Sequence, residues 1–228
     1  MSLRKSLKFL IFIILGVGIF TCRAQANYGN DFNTLNSSEF LKDIELSMTV
    51  NPDSFNYSIF HSALIHLTNI ERIEHEKLPL LYFTDLESSS KIHSLEMSKH
   101  HFFNHSNKYN KDLETPADRI FRYNKNYEII GENIVSNNLI DYDGDYLEYS
   151  VQIVDGKQLF TYLNGEILKN VSYINLAKRL IKQWMESPPH KKNILSDDYT
   201  LIGCACALEQ GEDFIKINCT QNFGSLFE

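Results

Sequence analysis

The stretch Trp184–Leu195 reads WMESPPHKKNIL. It closes a run, Ser172–Glu186, in which Ile174, Leu176, Ala177, Leu180, Ile181 and Trp184 recur at steps of three and four. That is the period of a helix with one buried stripe. Ser172 can cap the helix by accepting from its free backbone N–H groups. Pro188 and Pro189 lack backbone donors and push Ser187 out of the helical region. His190 is therefore expected on a turn just past the helix end, fixed by a rigid neighbour. Taken alone it reads better as a surface histidine in a basic loop, HKKN, so the rest of the chain has to decide whether it has partners.

Downstream, Thr200–Leu208 and Asp213–Thr220 read as a final hairpin. Upstream, residues 138–171 look inserted. Tyr146–Val154 and Lys157–Leu163 alternate as strands around Asp155-Gly156, and Asn164-Gly165 starts another turn towards Ile167. Both pairs suit tight turns that need positive φ, so a small β-meander lobe is expected.

Two further helices are expected before the insert. One runs from Ser58 to about His75, with Phe60, Leu64, Leu67 and Ile70 along one side and His61 and His66 at the surface or edge. The other opens on Thr84-Asp85-Leu86-Glu87, read as a capping box, and runs to about His100. Its Leu86, Ser90, His93 and Met97 share a face, where small Ser90 admits a close neighbour. Thr115-Pro116 starts a short helix, Ala117–Tyr123.

Two stretches carry candidate chemistry. In His100-His101-Phe102-Phe103-Asn104-His105, the first two histidines fall at a helix end and are poor ligand candidates. His105 follows two aromatics expected to bury and hold it still. In Glu128–Val135, apolar residues flank Glu132. If Glu132 is inside, it needs a histidine, an arginine or a metal beside it, because a bare buried carboxylate is too costly to keep charged.

The N-terminus reads as a signal peptide over residues 1–26. Arg4, Lys5 and Lys8 precede an apolar run, Phe9–Phe20, and Ala24-Gln25-Ala26 is a small-x-small cleavage site. The secreted, extracellular route is favoured; a lipoprotein anchored through Cys22 is the alternative, weakened by Thr21. Residues 27–57 read as a polar linker with one docked or transient helical piece, Glu39–Met48. Four of the 22 basic residues (Arg4, Lys5, Lys8, Arg23) lie in the leader, so the mature chain sets 18 against 29 acids. So acidic a chain is not held on nucleic acid by charge, and it has no transmembrane run. Of its three remaining cysteines, one pair is expected to bridge in an exported protein. A hairpin loop over Gln210–Asp213 sets Cys204 opposite Cys219; the alternative is three free, inert core residues.

In order, Asn69-Ile-Glu-Arg72, Leu78-Pro79-Leu80, His105, Gly131-Glu132-Asn133-Ile134, Trp184–His190, Asn193-Ile194-Leu195, Ile202-Gly203 and Thr220–Phe223 resemble the CAP superfamily, also called the SCP domain, in its bacterial secreted branch. The resemblance covers about residues 60–137 and 172–225. It implies an α+β fold, a three-layer α-β-α sandwich with a central antiparallel sheet. It also implies a cleft where two histidines and two glutamates converge, often around zinc or another divalent cation. By motif, His105, Glu132 and His190 are carried over as cleft residues and metal ligands. The second glutamate's position, three after the tryptophan, holds Ser187.

The resemblance supports two functions. One is a binding module for a lipid, a small apolar ligand or an extracellular protein, favoured because no serine or cysteine sits in a recognisable catalytic turn. The other is a metal-dependent, peptidase-like hydrolase with Glu132 as general base.

Overall fold

The computed structural model describes residues 36–142 and 147–227. The expected signal peptide, Cys22, the first part of the linker and Tyr146 lie outside the described residues.

The elements in chain order are α1 (Ser37–Phe40), α2 (Tyr57–Glu74), β1 (Leu81–Tyr82), α3 (Thr84–His100), α4 (Pro116–Phe121), β2 (Tyr127–Asn138), β3 (Tyr149–Val154), β4 (Lys157–Tyr162), α5 (Tyr173–Glu186), α6 (Pro188–Leu195), β5 (Leu201–Gln210) and β6 (Ile215–Leu226). The central sheet runs β1-β5-β6-β2. Its three long strands are antiparallel, as expected, while the two-residue edge strand β1 pairs with β5 in parallel. Two residues are too short to show alternation, so β1 left no mark in the sequence pattern.

The sheet is covered on both faces. Ile202, Cys204 and Cys206 of β5 join α2 and α5 in the main core, with Trp184, Leu180 and Phe60 fully buried. Gly203, between them, faces α3. There the Ser90 hydroxyl donates to the Gly203 carbonyl at 3.0 Å and the Ser94 hydroxyl to that of Ala205 at 2.9 Å. Small polar residues thus let α3 lie directly on the strands, as the position of Ser90 suggested. Phe40, Leu46, Val50 and Phe55 of the N-terminal segment enter the same core as α2 and α5.

Several local expectations are corrected. Pro188-Pro189 does not lead into a turn but opens α6, with both prolines in its first turn. The donors they lack are ones a helix start leaves unpaired anyway, and Ser187 is extended between the two helices. Phe83, not Thr84, is the N-cap of α3, so the capping box does not form. Glu87 instead accepts from His61 Nδ1 at 3.0 Å and from the Tyr82 hydroxyl.

His61 and His66 are buried, not superficial. His61 Nε2 accepts from the Cys206 N–H at 2.9 Å, so this histidine serves the edge of β5 where β1 has ended. His66 stacks on Phe40, with ring centroids 4.3 Å apart, and its Nδ1 lies 3.0 Å from the Ser37 hydroxyl.

The last hairpin is shifted. Gln210 pairs with Ile215, so Cys206, not Cys204, stands opposite Cys219 and forms the disulfide. Cys204 is free and buried opposite Gln221. Phe214 lies in the loop, where its carbonyl accepts from the Gly211 N–H at 3.1 Å and its ring packs on Tyr149 and Phe160 of the lobe, with centroids 5.0 Å from each.

The lobe is the expected meander. β3 and β4 join at Asp155-Gly156, both with positive φ, and a third arm bridges Ile167 to Thr161. Among the described residues no helix is long and apolar enough to cross a membrane.

Candidate functional site

The site is built on the middle of β2. Glu132 points inward, with 2% of its side chain exposed. Arg119 Nη2 donates to both its carboxylate oxygens, at 2.9 and 2.8 Å, and His105 Nδ1 donates to Oε1 at 2.9 Å. His93 Nε2 stands 3.9 Å from the same oxygen. Of the partners required for a buried Glu132, the chain supplies both an arginine and histidines.

Arg119 is delivered by α4, whose start is fixed by a reciprocal capping box between Thr115 and Asp118. The guanidinium is fully buried and also donates to the carbonyls of Leu113, Glu114 and His105, at 2.9, 3.1 and 3.0 Å. It therefore ties together the 105 loop, the residues before α4 and the carboxylate.

Burial acts to raise the Glu132 pKa, but the hydrogen bond from His105 and the Arg119 charge outweigh it and hold the carboxyl below its ordinary range. The pKa of His93 is lowered as well, here by burial. Burial pushes it down to about 4, despite the neighbouring Glu132 charge, so it is neutral. Its Nε2–H donates to the Asn104 carbonyl at 3.0 Å. Its buried Nδ1 has no hydrogen-bond partner among the described residues.

The helix pair of the opening stretch meets β2 next to this cluster. The Trp184 indole N–H donates to the Ile134 carbonyl at 3.0 Å. Asn193 Nδ2 donates to the Glu132 carbonyl and to Asn133 Oδ1, and Asn133 Nδ2 donates to the His190 carbonyl at 3.2 Å. These bonds bring the first turn of α6 to Glu132. His190 is half-buried there, and its pKa is lowered first by burial and then by the nearby His105.

The structure thus brings the His105 ring onto Glu132 and ties the His190 main chain to Asn133, the next residue of β2. Ser187 stays at the junction of α5 and α6, where its carbonyl accepts from Lys191 N–H at 2.9 Å. His105 is not held by buried aromatics: its side chain is 48% exposed and Phe103 is 53% exposed. Only Phe102 packs inward, against His93 and Tyr109. Hydrogen bonding to Glu132 fixes the ring instead. Nε2 is the ring nitrogen of His105 that Glu132 does not engage. His100 and His101 stand apart, His100 stacked on Tyr109 and His101 2.9 Å from Glu209.

Arg119 and His93 were not singled out from the sequence as site residues. His93 was placed on the buried face of α3, but nothing in the pattern tied it to Glu132. For Arg119 the usable signal was the requirement itself: a buried carboxylate needs a cation, and Arg119 sits in a capped helix beside buried Ile120.

The cation implied by the resemblance can be tested against these donors. Both oxygens of Glu132 accept from the Arg119 guanidinium, Oε1 from His105 as well, and a positive charge is already packed against them. Among the described residues no group of three or more His, Cys, Asp or Glu is arranged to hold a metal ion. Glu132 does not fit the role of ligand.

Fold and cluster together define a three-layer α+β domain with a buried Arg119–Glu132 ion pair beside His93 and His105. The chain belongs to the CAP, or cysteine-rich secretory protein, family, whose model matches residues 65–223. It is 22% identical over 173 residues to Uncharacterized protein YkwD of Bacillus subtilis (strain 168), covering 76% of this chain, and it spans only 51% of that relative's length. Its fold is similar to that of an outer surface protein from Borrelia burgdorferi, with a TM-score of 0.50 and 16% identity, over 79% of this chain and 99% of that one. An extracellular SCP-domain protein from Bacillus anthracis str. Ames aligns with a TM-score of 0.49 and 20% identity, over 78% of this chain and 45% of its own.

Proposed function

We propose that this chain works outside the cytoplasm as a binding module for a small apolar ligand, held between α2 and α5. The observation that carries this reading is a groove of about 300 Å³ with an apolar floor of Leu67, Ile70, Ile181 and Met185 and charged residues such as Glu71 and Lys178 on its rim. An apolar floor ringed by the charged side chains of Glu71, Glu74, Lys178, Lys182 and Glu186 suits a ligand with a short acyl-like body and a polar end. The Cys206–Cys219 bridge supports an oxidising compartment.

The buried cluster favours binding over hydrolysis. A general base needs a free lone pair and a pKa near the working pH. Glu132 has Arg119 and His105 on its oxygens and a pKa below the ordinary carboxylate range.

The test is a titration with the fluorescent fatty acid cis-parinaric acid, comparing the wild-type chain with Met185→Trp, which fills the groove. Saturable binding, weakened about tenfold or more in the variant, is expected. No saturable binding, or equal binding in both, removes the reading. Peptide cleavage that disappears in Glu132→Gln replaces it with the hydrolase.

A further inference from the structure

We infer that Arg119 is the resident counter-charge of the His105–Glu132 pair, standing in for a divalent cation, so that this member of the family positions His105 without a metal. The inference goes beyond the proposed apolar ligand and is independent of the α2–α5 groove.

The first support is charge. Glu132 is the one carboxylate hydrogen-bonded into the cluster among the described residues, and Arg119 already neutralises it. A divalent cation at His105 would bring two more positive charges beside a buried guanidinium, with no second carboxylate to offset them. Ser187, where the resemblance asks for that carboxylate, supplies a hydroxyl.

The second support is geometry. Arg119 cannot swing aside to release Glu132, because three backbone carbonyls from two segments also depend on it. Turning it away would leave a buried charge unpaired, which is far costlier than keeping the pair.

The third support is what the pair does for His105. Arg119 holds the His105 carbonyl directly and orients the carboxylate that receives the His105 Nδ1–H. It is thus a positioning residue, acting on the exposed imidazole through both the backbone and Glu132. In metal sites a carboxylate behind a histidine has this same orienting role. Here the orienting parts are complete without the ion.

The test is calorimetric titration of the full chain with Zn²⁺ alone. Wild type and Arg119→Lys are expected to bind Zn²⁺ no more tightly than His105→Ala, within about twofold. Arg119→Met is expected to gain about tenfold or more in Zn²⁺ affinity, and Arg119→Met/His105→Ala to lose that gain. Arg119→Met leaves a bare buried carboxylate and can fail to fold, so Arg119→Met/Glu132→Gln is measured beside it. With both charges removed, that variant is expected to fold and to show no gain. The inference is overturned if wild-type affinity for Zn²⁺ drops about tenfold or more in His105→Ala, or if a folded Arg119→Met gains nothing. Should Arg119→Met not fold, the comparison of wild type with His105→Ala decides alone: equal affinities uphold the inference, and a tenfold loss overturns it.

Discussion

Gly203 of β5 lies against the first turn of α3 so closely that a Cβ there would stand 2.1 Å from the Glu87 backbone nitrogen. The obstacle is main chain, not a flexible side-chain end, so an added methyl cannot be accommodated by a rotamer change. Gly203→Ala should force α3 away from the sheet and cost roughly 1–3 kcal/mol or more. Urea unfolding checks this: the midpoint should fall, and an unchanged midpoint would show that the helix can shift freely.

Arg119→Met should be among the most damaging single changes in the chain. It leaves the Glu132 carboxylate buried beside only two histidines, and breaking such a pair on one side costs about 3–5 kcal/mol. Replacing both partners, as in Arg119→Met/Glu132→Gln, should recover most of that loss. Thermal unfolding of wild type, single and double variants makes the comparison; equal losses in single and double would mean that the pair is not the source.

Acid should destabilise the domain through two groups acting in the same direction. Glu132 has a lowered folded pKa, so its contribution is present above the ordinary carboxylate range and is lost as pH falls through the folded value. His93 is held neutral, with a folded pKa of about 4 against 6.5. The unfolded chain therefore binds its proton first as pH drops below 6.5, and stability falls until about pH 4. The His93 part amounts to about 3 kcal/mol. Chemical unfolding at a series of pH values should show this slope, and His93→Gln should flatten it between those limits. A slope unchanged in that variant would assign the acid sensitivity elsewhere.

The disulfide should link Cys206 to Cys219 and leave Cys204 as a thiol that reacts only after unfolding. Peptide mapping without reductant should recover the 206–219 pair. Loss of the bridge, as in Cys219→Ser, should cost about 2–4 kcal/mol. Three thiols that alkylate in the unreduced, unfolded chain would contradict the assignment.

Much of this molecule is written locally. The α5 stripe ending at Trp184, the Ser172 cap and the positive-φ turn at Asp155-Gly156 all follow from interactions within a few residues, and each stands where the pattern puts it. The burial of His93, Ser90 and Met97 on one face of α3 follows from helical period alone. Glu132 was legible as a residue that must have a partner if buried, because desolvation makes that demand whatever the fold.

Which partner answered was decided only by tertiary structure. Arg119 reaches Glu132 because α4 is packed against β2, and His190 arrives because Asn133 and Asn193 join α6 to the same strand. Phe214 meets Tyr149 and Phe160 of the lobe while Gln210 pairs with Ile215, a register that puts Cys206 and not Cys204 opposite Cys219. His61 was drawn inside by an unpaired strand edge that no local pattern shows. Sequence periodicity reports which side of an element is buried. It carries no information on which distant charge or ring will be brought to that side, because that choice is made by packing between elements far apart in the chain.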